Sequence, residues 1–275
     1  MIRIGETQTL EVLEELADGF VIGDADSEVW IPHHIAPDGL SKGDSITLFV
    51  HSDREGSPFA TTKKPRVERG QFACLDVVDI ADHGAYLDWG LDRDLFVPHG
   101  LQYRPLSIGD AVVVAVDVDE YDRMFASSRL SEYFDADNWR LKIGQQVELL
   151  VYGFNSLGAM VIIDGRYNGM IYDNETFRKI EYGEKLMGWV SGLREDGRVD
   201  VRLQASGKQG TQDATTVIWE KLQADGFLAL TDKSPPAEIR AQLQMSKKAF
   251  KKAVGSLYKA RKLRIEADGL YRVES

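Results

Sequence analysis

The sequence predicts a mainly β protein of three tandem five-stranded barrels followed by a small α+β domain. Three observations carry that expectation. First, a glycine and an acid ahead of an apolar run recur as "LSKGDSITLFV" (40–50), "LSIGDAVVVAV" (106–116) and "IEYGEKLMGWV" (180–190), and self-similarity on this scale marks repeated structural units. Second, the segments around each run alternate apolar and polar residues, the period of a half-buried strand. Third, the last stretch of the chain abandons that alternation for helical spacing.

The second copy shows the element order most clearly. "GQFACLDVVDI", "GAYLDWG" and "DLFVPH" read as three strands, and after a loop "AVVVAVDVD" and "RMFASSRL" read as two more. The third copy repeats the order as "GQQVELLVYGF", "GAMVIID", "NGMIYD", "EKLMGWVSGL" and "RVDVRLQ", with Asp196–Gly197 as a hairpin turn. The first copy, "LADGFVIGDADSEVWIPHHI", is a shortened version of the pattern. Five short strands in about 70 residues suit an OB-type barrel, whose second and third strands form the ligand face. The expected boundaries are 1–65, 66–135 and 140–206.

A linker, "ASGKQGTQDA", is expected next, then a tail domain over 212–275. "ATTVIWEKLQADG" reads as a helix ending at Gly226. "SPPAEIRAQLQ" reads as a second, with Ser234 as N-cap and Pro235 in the first turn. "SKKAFKKAVGSLYKARK" places Phe250, Ala253, Val254, Leu257 and Tyr258 on one stripe, the spacing of a buried helix face. A hairpin around Asp268–Gly269 comes last. Three helices and a hairpin make a winged helix.

Composition bounds the function. The chain has 275 residues and a net charge of −11, but the charge is uneven. Residues 1–139 carry 11 basic and 27 acidic residues, 140–206 carry nine of each sign, and 207–275 carry 13 basic and 8 acidic. A polyanion feels the local field, because charges beyond about 10 Å are screened at ordinary salt. A single cysteine, Cys74, excludes an internal disulfide and favours a cytoplasmic protein. No apolar signal core opens the chain, and no apolar run is long enough to span a bilayer, so no membrane partner is expected.

Chemical motifs are sparse. His33 and His34 lack a cysteine partner at ligand spacing, and "DVDEYD" (117–122) lacks the glycine and glutamate of a calcium loop. No phosphate-binding loop or nucleophile elbow occurs. A non-enzymatic protein without cofactor or metal is expected. Binding surfaces are better marked. Tyr86 and Phe96 fall on the polar faces of adjacent strands, where they either stack bases or pack against a neighbouring barrel. Lys248, Lys251, Lys252, Lys259 and Lys262 lie opposite the apolar stripe of the last helix, with no acid from 247 to 265, and suit sequence-independent phosphate contact. Arg264 and Arg272, in the expected wing, extend them. Trp30 is expected at a seam between barrels.

The second and third copies resemble the S1 RNA-binding domain, a variant of the OB-fold. Three such barrels with a basic helical tail resemble the bacterial conserved virulence factor B family, described as three barrels plus a winged helix with RNA-binding activity. The resemblance implies an aromatic platform at Tyr86, with His83 in place of a second aromatic and Val97 in place of a histidine. It implies that Asp119 and Arg123 flank the RNA face. In the third copy it places Tyr172 at the histidine-like position and Met160 at the usual aromatic. Arg194 and Arg198 border the turn, and Arg166 precedes the third strand. The expected function is binding of RNA, single-stranded by preference, through the third barrel and the winged helix, with a role in regulating gene expression. The acidic barrels are left for a protein partner. An adaptor of the transcription or translation machinery and a duplex-DNA regulator are the alternatives.

Overall fold

The structure is a computed structural model that describes every residue except Met1, Ala25 and residues 53–55, 174–177, 204–206 and 274–275. The chain divides into two compact units, Met1–Phe134 and Asp135–Ser275.

In the first unit, β1 (Glu6–Glu15), β2 (Gly19–Gly23), β3 (Glu28–Pro32), β4 (Ser45–Ser52) and β5 (Pro58–Thr61) form one sheet in the order β3-β2-β1-β4-β5. The second sheet has the same topology: β6 (Phe72–Ala81), β7 (Gly84–Asp88), β8 (Leu95–Pro98), β9 (Ala111–Val118) and β10 (Met124–Ser127), in the order β10-β9-β6-β7-β8. The outer strands approach each other in both sheets, β3 beside β5 and β8 beside β10, so each curls into a nearly closed barrel. In the second unit, β11 (Gln146–Asn155), β12 (Gly158–Ile163), β13 (Tyr167–Tyr172), β14 (Lys185–Leu193) and β15 (Val199–Arg202) close fully. A parallel β13–β15 pair, with Gly169 opposite Val199 and Ile171 opposite Val201, completes that ring. The alternation expected from the sequence is realised: Ala85, Leu87 and Trp89 are buried, and Tyr86 and Asp88 point outward and are half-buried.

The recurring glycine–acid pair has one structural role in all three barrels. Gly43, Gly109 and Gly183 adopt positive φ of 89°, 87° and 76°. Their N–H groups donate to the carbonyls of Val12, Val77 and Val151 at 2.8, 2.9 and 2.8 Å. The carbonyl of the following acid accepts from the same three valines, at 2.8 Å to Asp44, 2.9 Å to Asp110 and 3.0 Å to Glu184. Each valine sits at a β-bulge in the first strand of its barrel. The acid's carboxylate also closes its own turn, accepting from the N–H three residues earlier: Ser41 at 2.9 Å, Ser107 at 3.0 Å and Glu181 at 3.0 Å. A bulge bends a strand and raises its twist, and a bent first strand can pair on both edges of a small barrel.

Inside the first unit, the two barrels share a seam. Phe49 of β4 packs in the core of the second barrel, edge-on to Trp89 at 5.6 Å. His51 stacks beside Phe49 at 5.9 Å, and the Arg69 N–H donates to the Gly5 carbonyl at 2.8 Å. Trp30, expected at this seam, is instead 40% exposed and lies over Gly19. The outward register of β3 sends it to solvent, and Phe49 from β4 takes the buried place.

The tail folds as α1 (Gly207–Asp225), β16 (Phe227–Leu228), α2 (Pro236–Leu243), α3 (Lys247–Lys259), β17 (Leu263–Ile265) and β18 (Leu270–Arg272), with sheet order β16-β18-β17. Ile218, Leu222, Ile239, Phe250, Ala253, Leu257 and Leu270 fill its core. Three expectations are corrected. The stretch expected as linker is helical from Gly207, and residues 204–206 lie outside the described part. Ser234 does not cap α2; its hydroxyl accepts from the Thr231 N–H at 2.9 Å, and Pro235 holds the N-cap position. Tyr258 is 57% exposed, because Leu257 and Val254 already fill the edge of the stripe. Ser246 caps α3, accepting from the Ala249 N–H at 3.0 Å.

The glycine–acid turn can be tested in two ways. A Cβ at Gly109 would meet no atom, so Gly109→Ala bears only the left-handed backbone cost. It should destabilise the first unit by about 1–2 kcal/mol, read from urea denaturation. The second test concerns pH. The Arg104 guanidinium, bonded to Asp110 at 2.8 Å, and the Ser107 N–H hold the Asp110 carboxyl below the usual carboxylate range. A carboxyl lowered on folding adds stability that is fully present above its unfolded pKa and is lost as pH falls through its folded value. Asp110→Asn should therefore be less stable than the native chain at neutral pH, with the gap closing in acid. A gap constant across that range would show that the carboxylate does not hold the turn.

Candidate nucleic-acid interface

Three surfaces carry the residues expected to bind. On the second barrel, the β7–β8 register sets Tyr86 opposite Phe96, with ring centroids 5.2 Å apart and planes tilted by 45°. His83 extends the group, 5.1 Å from Phe96. Gly84 makes room, since a Cβ there would run into the Phe96 ring. The aromatic group is real, but its surroundings are acidic. Asp94 is pushed above the usual carboxylate range by burial and by the charges of Asp88 and Asp79. Asp88 is paired with Arg66 at 2.9 Å, and Asp92 with Lys63. Arg123 is paired with Asp119 at 2.7 Å and lies over the Tyr121 ring at 5.1 Å.

On the third barrel, the register of β12 and β13 sets the half-buried Met160 opposite the half-buried Met170, and the half-buried Asn168 opposite Ile162, which is itself buried and leaves no open surface there. Tyr172, at the end of β13, is half-buried, and its hydroxyl donates to Asp200 Oδ1 at 3.3 Å. Arg194 bonds the same carboxylate at 2.9 Å and the Tyr172 hydroxyl, with its guanidinium 5.9 Å from the tyrosine ring. The expected pair Tyr172 and Arg194 is thus brought together, around an acid that the sequence pattern does not single out. Arg198 lies 3.8 Å from Asp196, and Arg166 lies 4.0 Å from Asp135. Both arginines are more than half exposed, so these pairs are weak and yield readily to a phosphate. Tyr152 also escapes the sequence pattern. It is the extra residue of the β11 bulge, and its hydroxyl donates to Asn168 Oδ1 at 2.8 Å. Burial pushes its phenol up.

The winged helix presents the third surface. Lys248, Lys251, Lys252 and Lys259 are all exposed on α3, with the exposed Tyr258 among them. Lys251 stands 3.9 Å from Asp232. Among the described residues, Lys248, Lys252 and Lys259 have no acidic partner within ion-pair distance. Lys262 falls beyond the helix and sits over the Trp219 ring at 5.1 Å, with Arg272 6.0 Å from the same ring. Arg264 lies over Tyr271 at 4.8 Å. These cation–π contacts hold the wing's charges beside aromatic faces. Trp219 and Tyr271 were not legible as site residues, because the wing must fold before they meet those cations.

Among the described residues, no group of three His, Cys, Asp or Glu side chains is placed to hold a metal ion, and no helix is long and apolar enough to cross a membrane.

Barrels whose second and third strands face outward, followed by a helix–turn–helix with a wing, define a class: a multidomain chain of S1-type barrels and a winged helix. Residues 4–63 match the S1 domain family, and residues 216–271 match the CvfB-like winged helix domain. The S1 match falls on the copy whose sequence looks most reduced, and that copy has all five strands, in the same order as the second barrel. Over most of its length the chain is similar to proteins named conserved virulence factor B. It is 27% identical over 238 residues to that of Staphylococcus epidermidis, covering 83% of this chain and 80% of the relative. It is 26% identical over 268 residues to the uncharacterised protein YitL of Bacillus subtilis, covering 94% and 90%. A crystal structure from Streptococcus pneumoniae, described as a multidomain protein with nucleic acid binding domains, aligns over 98% of both chains with 22% identity and a TM-score of 0.44. OB-type barrels and winged helices are both nucleic-acid-binding classes, and they support a nucleic-acid-binding role here.

Proposed function

We propose that the chain binds single-stranded RNA without catalysing a reaction, mainly through the third barrel and the winged helix, and acts in regulating gene expression. The observation that carries this reading is the outward lysine face of α3, where Lys248, Lys252 and Lys259 stand free of acidic partners among the described residues. Lysines supply phosphate contact that ignores sequence. Tyr172, with the half-buried Met160 and Met170 beside it on β12 and β13, supplies stacking and apolar contact for unpaired bases, which a duplex hides. The α3 face offers few groups for bidentate reading of base edges, which disfavours a sequence-specific duplex-DNA regulator.

Tyr86, Phe96 and Arg123 are assigned a lesser part in this binding. Crowded carboxylates at Asp79, Asp88 and Asp94 repel phosphate around that platform. The same crowding favours a protein partner for the acidic barrels.

Fluorescent single-stranded RNA, duplex RNA and duplex DNA titrated at several salt concentrations test the proposal. Single-stranded RNA should bind most tightly, with affinity falling on a log–log salt plot by about 0.7 per phosphate contacted. Replacing Lys248, Lys252 and Lys259 together by glutamine should flatten that slope by about 2. Tighter binding of duplex DNA, or an unchanged slope in the triple variant, would sink the reading.

A further inference from the structure

The segment 135–141 leads into the third barrel and is pinned to it at several points. The Asp135 N–H donates to the Arg166 carbonyl at 2.9 Å. Asn138 Nδ2 donates to the carbonyls of Arg194 and Arg198 at 3.1 and 3.2 Å. Leu141 is buried in the barrel core, and its N–H donates to the Asn138 carbonyl at 3.0 Å. Between these anchors Trp139 is 71% exposed. An indole left in water on a tethered segment is a displayed group rather than a loosely placed one. It borders a cleft of ≈ 360 Å³ that is also lined by Asp135, Asp137, Arg140, Arg166 and Tyr167. The cleft is open to solvent and mainly polar, so it would hold a ligand by one stacked face and charged contacts.

The chemistry of the lining is specific. The Arg140 guanidinium lies over the indole at 4.9 Å and covers one ring face, so a base stacks on the indole by taking the opposite face or by displacing the guanidinium. Arg166 is more than half exposed and only loosely held by Asp135 at 4.0 Å, so it is available to a phosphate. Asp137 is exposed and, among the described residues, has no ion-pair partner. A carboxylate repels phosphate and only accepts hydrogen bonds. Of the four RNA bases, guanine alone offers two adjacent N–H donors, at N1 and N2, on its Watson–Crick edge. Adenine and cytosine pair a donor with an acceptor, and uracil sets one donor between two acceptors.

We propose that this cleft is a base subsite in which Trp139 stacks a guanine of single-stranded RNA, Asp137 accepts from its N1 and N2 groups, and Arg166 holds the adjoining phosphate. The subsite rests on the RNA-binding reading above and adds a base preference to it. Trp139, Asp137 and Arg140 lie outside the β12–β13 face, on a segment that sequence pattern treats as a connection.

The test uses the full chain and two short uridine oligonucleotides, one with a central guanosine and one with a central adenosine. Binding is followed by anisotropy and by quenching of tryptophan emission. The native chain should prefer the guanosine strand. Trp139→Ala should weaken that strand about 5- to 150-fold and abolish most of the quenching, while Trp139→Phe retains most of the affinity. Asp137→Asn should erase the preference without weakening the adenosine strand. If Trp139→Ala binds like the native chain while the α3 lysine variant is weakened, the subsite is wrong and RNA binding stands. Equal binding of the two strands by the native chain overturns the guanine assignment. If neither strand binds the native chain, the RNA reading itself fails.

Discussion

Each barrel depends on one repeated contact: a glycine–acid turn locked onto a bulged valine in the first strand. The turn needs a positive φ, which glycine supplies without steric cost, and an acid whose carboxylate bonds the N–H three residues back. The paired bonds through Val12, Val77 and Val151 fix where the first strand bends. That bend lets one strand pair with both the second and the fourth and so close the sheet. In the third barrel it also aims the bulge residue itself, since Tyr152 bonds Asn168 from that position.

One scaffold then carries different electrostatics. The core asks only for alternation, so the outward residues are free to differ between copies. In the second barrel they assemble an aromatic group inside a ring of carboxylates, crowded enough to push Asp94 up. Both barrels also pair acids with basic partners: Asp88 with Arg66 and Asp119 with Arg123 in the second, and Asp200 with Arg194, Asp196 with Arg198 and Asp135 with Arg166 in the third. Exposed pairs of this kind contribute little to stability. Their arginines can exchange a carboxylate for a phosphate at small cost, which suits a surface that must bind and release a polyanion.

In the winged helix, burial and charge are separated by helical geometry. Phe250, Ala253, Val254 and Leu257 turn inward, and the same 3.6-residue period turns Lys248, Lys251, Lys252 and Lys259 outward. The wing adds cations that are already seated on aromatic rings. Lys262 and Arg272 flank Trp219, and Arg264 covers Tyr271. A charge resting on a ring gives up less hydration and side-chain freedom when it meets a ligand.

By itself the sequence determined whatever depends on local period and turn chemistry. The strands of the second and third copies, the Asp196–Gly197 and Asp268–Gly269 hairpins, the buried side of α3 and the pairing of Tyr86 with Phe96 all derive from alternation, helical spacing and glycine. Tertiary structure decided which side chains end up facing water. Trp30 and Phe49 both sit in apolar strands, yet Phe49 is buried at the seam and Trp30 is not. Tyr258 continues an apolar stripe but finds its place already filled. Ser234 precedes a helix but bonds Thr231 instead. Trp139 stands exposed because Asn138 and Leu141 hold its segment down on either side. Exposure depends on neighbours distant in sequence, and their positions exist only once the barrels have closed.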